Sequence, residues 1–176
     1  MKVLFSANQI AARVHELAVE IANALPTDAN TEGLILVGPL KGCLVFQADL
    51  MRALQPHVPW LECDFLGLSS YGGGTESSGT VTLRSDLGSS VQGRHVLLVD
   101  DIVDTGRTLA FAQAHLLAKQ PASLRTATLL DKPARRVVPV PVEHVGFAIE
   151  DVFVLGYGTD LAERYRELPE LVIYGT

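Results

Sequence analysis

The amino-acid sequence predicts an α/β fold, a mainly parallel twisted sheet flanked by helices, and three observations carry that expectation. Short apolar runs such as GLILVG (33–38) and HVLLV (95–99) suit strands buried on both faces. Segments with apolar residues at helical spacing lie between them, and strand–helix–strand alternation builds parallel sheets covered on both sides. Three polar stretches, PLKG, DDIVDTG and DKPARR, directly follow strand candidates. Ligands of such sheets bind beyond the carboxyl ends of the strands, so the three stretches are expected to converge on one rim.

In chain order, Ser6 with Gln9 three residues on forms a capping-box pattern. Ile10, Val14, Leu17, Ile21 and Leu25 then recur at helical spacing, and Pro26 lies beyond the helix end. Gly33–Gly38 reads as the first buried strand and Cys43–Leu54 as the helix after it. Leu61, Cys63 and Phe65 alternate with Glu62 and Asp64, the pattern of a strand with one wetter face. Residues 69–79, SSYGGGTESSG, read as a flexible loop, and TVTLRSDL (80–87) resumes extended character. HVLLV is the second buried strand. Arg107–Lys119 follows as a second crossover helix, with Leu109, Ala112 and Leu116 on one face. Leu124–Leu130, Val145–Ile149 and Phe153–Leu155 complete the strand candidates, with Pro139 and Pro141 in an irregular connection. No internal repeat or linker is visible, and residues 1–176 read as a single domain.

Composition narrows the function class. Hydrophobic residues make up 48% of the chain and charged ones 19%, which suits a packed core. A formal net charge of −6 offers no general attraction to nucleic acid or to an anionic membrane. An anionic substrate therefore needs local helix termini, a few basic residues or a metal. Cys43 and Cys63, both in apolar contexts, are expected to be buried free thiols of a reducing cytoplasm. Asn8, Gln9, Arg13, His15 and Glu16 interrupt the first segment, which does not read as a signal peptide. No apolar run approaches the roughly 20 residues that span a bilayer.

The stretch HVLLVDDIVDTGRTL (95–109) carries the chemistry. A helix starting near Thr105–Gly106 exposes unpaired N–H groups and a partial positive charge, which suits a phosphate. Asp100 and Asp101, at the end of the strand, would repel that phosphate. They can instead accept hydrogen bonds from vicinal hydroxyls such as a ribose diol. A sugar phosphate meets both requirements. For any one aspartate alone, a helix cap or solvated loop is the simpler explanation; the whole string points to function.

Residues 96–109 resemble the phosphoribosyl pyrophosphate (PRPP) motif of type I phosphoribosyltransferases. GPLKGCLVF, FLGLSSYGGGTESSG, LLDKPARR, VGFAI and FVLGYGTDLAERYRELP look like the hypoxanthine(-guanine) members of that family, in family order. One departure is Asp100, where the family often has the longer glutamate. The resemblance implies a small hood formed by the N- and C-terminal segments, a flexible lid at 69–79, and a Mg2+-dependent glycosyltransferase of purine salvage. Such an enzyme moves ribose 5-phosphate from PRPP to N9 of a 6-oxopurine and releases pyrophosphate.

By the same resemblance, Asp104 is the general acid/base near purine N7, with helix capping as the competing role. Asp100 and Asp101 hold the ribose hydroxyls, directly or through metal, and favour an oxocarbenium-like ribose. Asp104, Thr105, Gly106, Arg107 and Thr108 form the 5′-phosphate pocket. Lys41 and Gly42 form the pyrophosphate loop, which in the family carries a non-proline cis peptide before the lysine; an ordinary turn with an exposed lysine is the alternative. Ser70 and Tyr71 reach the pyrophosphate when the lid closes, and Arg166 contacts it, unless it is a surface helix arginine. Lys132 donates to the 6-oxo group, which disfavours adenine, since an ammonium has no acceptor. Phe153 stacks on the base and Val154 offers backbone groups to its edge, although both also suit plain core strand. Asp160 lies at the purine side and joins Asp100 and Asp101 as a metal-associated acid. Arg135 and Arg136 are expected to be solvated. A homodimer or homotetramer is the family's habit. The competing readings are a xanthine-preferring enzyme and an RNA-binding pyrimidine operon attenuator of the same fold; the latter typically has tyrosine at the position of Asp104 and needs a basic face.

Overall fold

The computed structural model describes residues 1–70 and 80–175. β1 (Lys2–Phe5) leads into α1 (Ala7–Ala24) through Ser6, which makes the full capping box. The Gln9 N–H donates to Ser6 Oγ at 3.4 Å, and the Ser6 N–H donates to Gln9 Oε1 at 2.9 Å. Ile10, Val14, Leu17 and Ile21 form the buried face of α1, as their spacing requires. A single turn, α2 (Ala29–Glu32), connects to β2 (Leu34–Leu40), followed by α3 (Leu44–Leu54), β3 (Leu61–Ser70) and β4 (Val81–Ser85). β5 (His95–Val103), α4 (Arg107–Leu117) and β6 (Ser123–Asp131) form the second crossover, and β7 (His144–Ala148), β8 (Val154–Leu155) and β9 (Leu171–Ile173) complete the chain.

The main sheet has the order β4-β3-β2-β5-β6-β7. All neighbours are parallel except β4, which pairs antiparallel with β3. β5 therefore sits between two parallel strands, where an apolar run buried on both faces belongs. Its alternation divides the core: Leu97 and Val99 join the cluster of α1 and α3, while Val96 and Leu98 join Leu109, Ala112 and Leu116 of α4. Each such fully buried side chain stabilises the fold by about 1.5–3 kcal/mol. The crossovers bring the carboxyl ends of β2, β5 and β6 to one rim.

A separate antiparallel sheet, β1-β9-β8, is built from the first and last segments of the chain and supplies the expected hood. β1 and β9, of four and three residues, are too short for a periodic signature and depend on pairing between distant segments: β1 with β9, and β9 with β8. Cys43 is buried as expected, but Cys63 is exposed. β4 pairs with β3 only from Gly67 onward, so the first half of β3 is an edge and its alternation is not matched by burial.

Candidate active site

β5 runs on beyond its apolar stretch, so Asp100 and Asp101 lie within the strand rather than past it. Asp100 pairs in register with Thr128 of β6 and is buried, while Asp101 is half-buried. The Asp101 N–H donates to Asp100 Oδ1 at 3.1 Å. Burial pushes both carboxyls above the usual range, and for Asp100 the neighbouring charge of Asp101 adds to the rise. Burial, and then the charges of Asp100 and Asp101, also push the Cys43 thiol up, leaving it inert.

The loop after β2 comes up against these acids. The Leu40–Lys41 peptide is cis, at the bond the resemblance indicates. Gly42 packs so closely that a Cβ there would stand 2.0 Å from Asp101 Oδ2. At the end of β5, Gly106 is the N-cap of α4 with φ +85, and a Cβ on it would stand 2.5 Å from the Val138 carbonyl oxygen. The N-cap, Gly106, has no side chain to cap α4, and the Asp104 carboxylate is engaged by Arg135 instead, with Nε–Oδ1 at 2.9 Å. A cavity of about 70 Å3 lies at this helix start, lined by Asp100, Asp104, Thr105, Gly106 and Thr108. Arg107 opens the helix, its N–H 3.5 Å from Thr105 Oγ1.

A larger cavity, about 360 Å3, lies between the Lys41–Gly42 loop, Asp100, Asp101, Asp104, Asp160 and Arg166. Arg166 is not on a helix. Its Nη1 donates to the Gly158 carbonyl at 2.7 Å, and its Nη2 lies 3.0 Å from Asp160 Oδ1 and 3.3 Å from Glu163 Oε2. Glu163 also holds Lys41, with Nζ–Oε2 at 3.0 Å. Hydrogen bonds from Lys41 and Arg166 keep the Glu163 carboxyl below its usual range. Asp160 Oδ2 accepts the Glu163 N–H at 2.8 Å.

A third cavity, about 200 Å3, is lined by Asp101, Asp104, Lys132, Phe153, Val154 and Asp160. Phe153 keeps 47% of its surface exposed and meets Tyr174 edge to face at 5.9 Å, whereas Val154 is buried in β8. Lys132 is buried rather than solvated, 4.0 Å from Asp151. Arg136 is half-buried, against the sequence expectation, whereas Arg135 stays exposed as expected while pairing with acids of the site. Arg135 Nε lies 2.9 Å from Asp104 Oδ1 and its Nη1 3.5 Å from Asp151 Oδ2. Arg136 pairs with Asp131 and donates from Nε to the Asp104 carbonyl at 3.2 Å. The reason is topological: the turn at Pro133–Arg135 after β6 folds these side chains back over the end of β5.

PLKG, DDIVDTG and DKPARR thus meet at one rim. Asp104 lines all three cavities. The expected lid, 69–79, is corrected at its start: Ser69 and Ser70 are the last residues of β3, paired with β4, while residues 71–79, Tyr71 among them, lie outside the described residues. Glu163, Arg135, Arg136 and Tyr174 enter the site without having been singled out; the signal for the arginines was the need of a buried acid cluster for countercharge.

A family model for the phosphoribosyl transferase domain matches residues 2–162. Hypoxanthine phosphoribosyltransferase of Salmonella typhimurium is 45% identical over 170 residues, covering 96% of this chain and 92% of that protein. The Haemophilus influenzae enzyme of the same name is 45% identical, covering 94% and 90%. Among solved structures, a hypoxanthine phosphoribosyltransferase from Staphylococcus aureus superposes with a TM-score of 0.88 at 39% identity, over 98% of this chain and 90% of that one. One from Trypanosoma cruzi gives 0.88 at 40% identity, over 98% and 90%.

Proposed function

The chain belongs to the phosphoribosyl transferase family, and from that membership we propose that it transfers the 5-phosphoribosyl group of PRPP to N9 of hypoxanthine or guanine, releasing pyrophosphate. One observation carries the reading: three cavities of different chemistry share a single carboxylate, Asp104. The smallest offers the amides of a helix start whose N-cap is glycine and suits the 5′-phosphate. The largest sets Lys41 and Arg166 against a wall of acids, which suits a pyrophosphoryl ribose. The third combines an exposed aromatic face with a buried ammonium, which suits a flat base bearing an oxo group.

In that arrangement the 5′-phosphate sits on the N–H groups of α4 with the Thr105 and Thr108 hydroxyls, and Gly106 lets the backbone approach. Phe153 stacks on the purine, Val154 presents backbone groups to its edge, and Lys132 donates to the 6-oxo oxygen. Asp104 faces the imidazole edge of the base and holds or moves the proton at N7. As the bond from C1′ to pyrophosphate opens, positive charge develops on the ribose. Asp100 and Asp101 stabilise it as fixed negative charges that need no rearrangement. Lys41, Gly42 and Arg166 receive the departing pyrophosphate.

Asp100, Asp101 and Asp160 present only carboxylate oxygen, the ligand type of a hard cation such as Mg2+. The raised carboxyls of the Asp100–Asp101 pair also fit a site completed by positive charge. When bound there, Mg2+ would neutralise diphosphate oxygens and ease release of the leaving group. We further place the protein in the cytoplasm as a homodimer or homotetramer. Two free thiols agree with a reducing compartment, and among the described residues no helix is long and apolar enough to cross a membrane.

The test is incubation with PRPP, Mg2+ and, separately, hypoxanthine, guanine, xanthine and adenine, following nucleotide formation. Hypoxanthine and guanine should turn over. Turnover with adenine alone, or with no base, defeats the reading, and a marked preference for xanthine would reassign the substrate.

A further inference from the structure

We propose that the end of the sheet remote from the active site carries a divalent transition-metal site made of Asp28, Glu32 and His95. His95 is the first residue of β5, five residues before Asp100 and thus about 16 Å from it along the strand. It is buried to 3% exposure. Its Nδ1 is held by Ser123 Oγ at 2.7 Å, the residue opposite it in register on β6. Its Nε2 is enclosed and, among the described residues, has no hydrogen-bond partner. A buried ring nitrogen left unsatisfied is costly and calls for an explanation.

That nitrogen points at α2. Asp28 is the N-cap of this turn and Glu32 its last residue, and the Glu32 N–H donates to the Asp28 carbonyl at 2.9 Å, so the two carboxylates are one helical turn apart on a common face. One oxygen from each carboxylate and one imidazole nitrogen lie within 4.8 Å of one another. His95 Nε2 and Asp28 Oδ1 are 3.3 Å apart without making a hydrogen bond. Two ligands bound at about 2.0–2.1 Å to one tetrahedral metal stand about 3.3–3.4 Å apart. Fixing the second ring nitrogen through a neighbouring group is the usual support of a metal-bound histidine.

The ligand set differs in kind from the active-site acids. One imidazole with two carboxylates favours a borderline cation such as Zn2+ over Mg2+, which prefers oxygen alone. The site would tie the α1–β2 connection to the start of β5 and stabilise the sheet from the end opposite the reaction.

The experiment measures metal content and melting midpoint after dialysis against micromolar Zn2+ in buffer with excess Mg2+. The expected result is one Zn2+ retained per chain, with a rise in the melting midpoint, in the parent and in Asp100→Asn. Both effects should vanish in Glu32→Gln and Asp28→Asn, whose exposed substitutions leave turnover with Mg2+ unchanged. The proposal is overturned if the parent retains no Zn2+, or if Glu32→Gln and Asp28→Asn retain it as the parent does. It is equally overturned if the metal is lost only in Asp100→Asn, which would assign it to the active-site acids.

Discussion

Substituting Gly42 with alanine tests the placement of Asp101 without touching either carboxylate chemically. Gly42 does not have a positive φ, so alanine fits the backbone and the added methyl is the whole perturbation. An ideal Cβ at this position stands 2.0 Å from Asp101 Oδ2, 2.6 Å from its Cγ and 2.8 Å from Oδ1, whereas ordinary contact begins at about 3.4 Å. The Asp101 carboxylate must retreat by more than 1 Å, and a short side chain at a cavity wall can do so without unfolding the sheet. Misplacing a reacting or orienting group by about 1 Å costs on the order of 10²-fold in rate, or about 2.7 kcal/mol in the barrier. Steady-state turnover with PRPP, Mg2+ and hypoxanthine should therefore fall about 100-fold while the melting midpoint stays close to the parent's. In an Asp101→Ala background, Gly42→Ala should add almost nothing, because the group it displaces is gone. Full turnover in Gly42→Ala, or an equal loss in both backgrounds, refutes the idea that Gly42 matters by leaving room for Asp101.

Three other outcomes are expected. Asp104→Asn should lower turnover by about 10²–10⁴-fold while the half-saturating PRPP concentration changes little; unaltered turnover would remove Asp104 from the proton transfer. Glu163→Gln frees Lys41 and Arg166 from a shared carboxylate, so less PRPP should half-saturate the enzyme and binding should become more salt-sensitive, whereas identical PRPP titrations would show that these pairs do not compete with ligand. The third concerns pH. Asp100 and Asp101 have folded values raised above the unfolded value near ~3.9. Their stabilising contribution is complete below about pH 3.9 and is lost as pH rises toward the folded values. Without divalent cation, Asp100→Asn should therefore melt above the parent at neutral pH, with the gap closing below about pH 4; a gap independent of pH contradicts the burial argument.

Local pattern was enough for the frame and for the acids. HVLLV announced a strand buried on both faces, and Ser6 with Gln9 marked the start of α1. Asp100, Asp101 and Asp104 were legible because charge directly on a buried strand is costly unless it is used. What stayed hidden depends on long-range pairing. β1 and β9 are short segments that become strands through pairing with each other and, for β9, with β8. Cys63 is exposed although it alternates with Leu61 and Phe65, because whether that face of β3 is covered is settled by distant segments and not by local pattern. Arg135 and Arg136 read as solvated in DKPARR, and only the return of that turn over β5 brings them to Asp104 and Asp131.

The same pairs answer how an acidic wall accepts a polyanion. Lys41 is held by Glu163, Arg166 by Asp160 and Glu163, Arg135 by Asp104 and Asp151, and Arg136 by Asp131. The positive charge around the cavities is thus already engaged, in part by Asp160 and Asp104, the acids proposed to act on the metal and the base. An arriving phosphate must exchange with a carboxylate rather than fill an empty cationic pocket. Each carboxylate it displaces becomes free for a second partner: Asp160 for a hard cation, Asp104 for a proton at the base. The α4 amides stand apart from this exchange, since backbone dipoles have no carboxylate to release. The 5′-phosphate can therefore dock first without disturbing the ion pairs, while the diphosphate end binds only by opening them. Substrate anchoring and assembly of the reacting groups become separate steps, and the second is driven by the part of the substrate that is to leave.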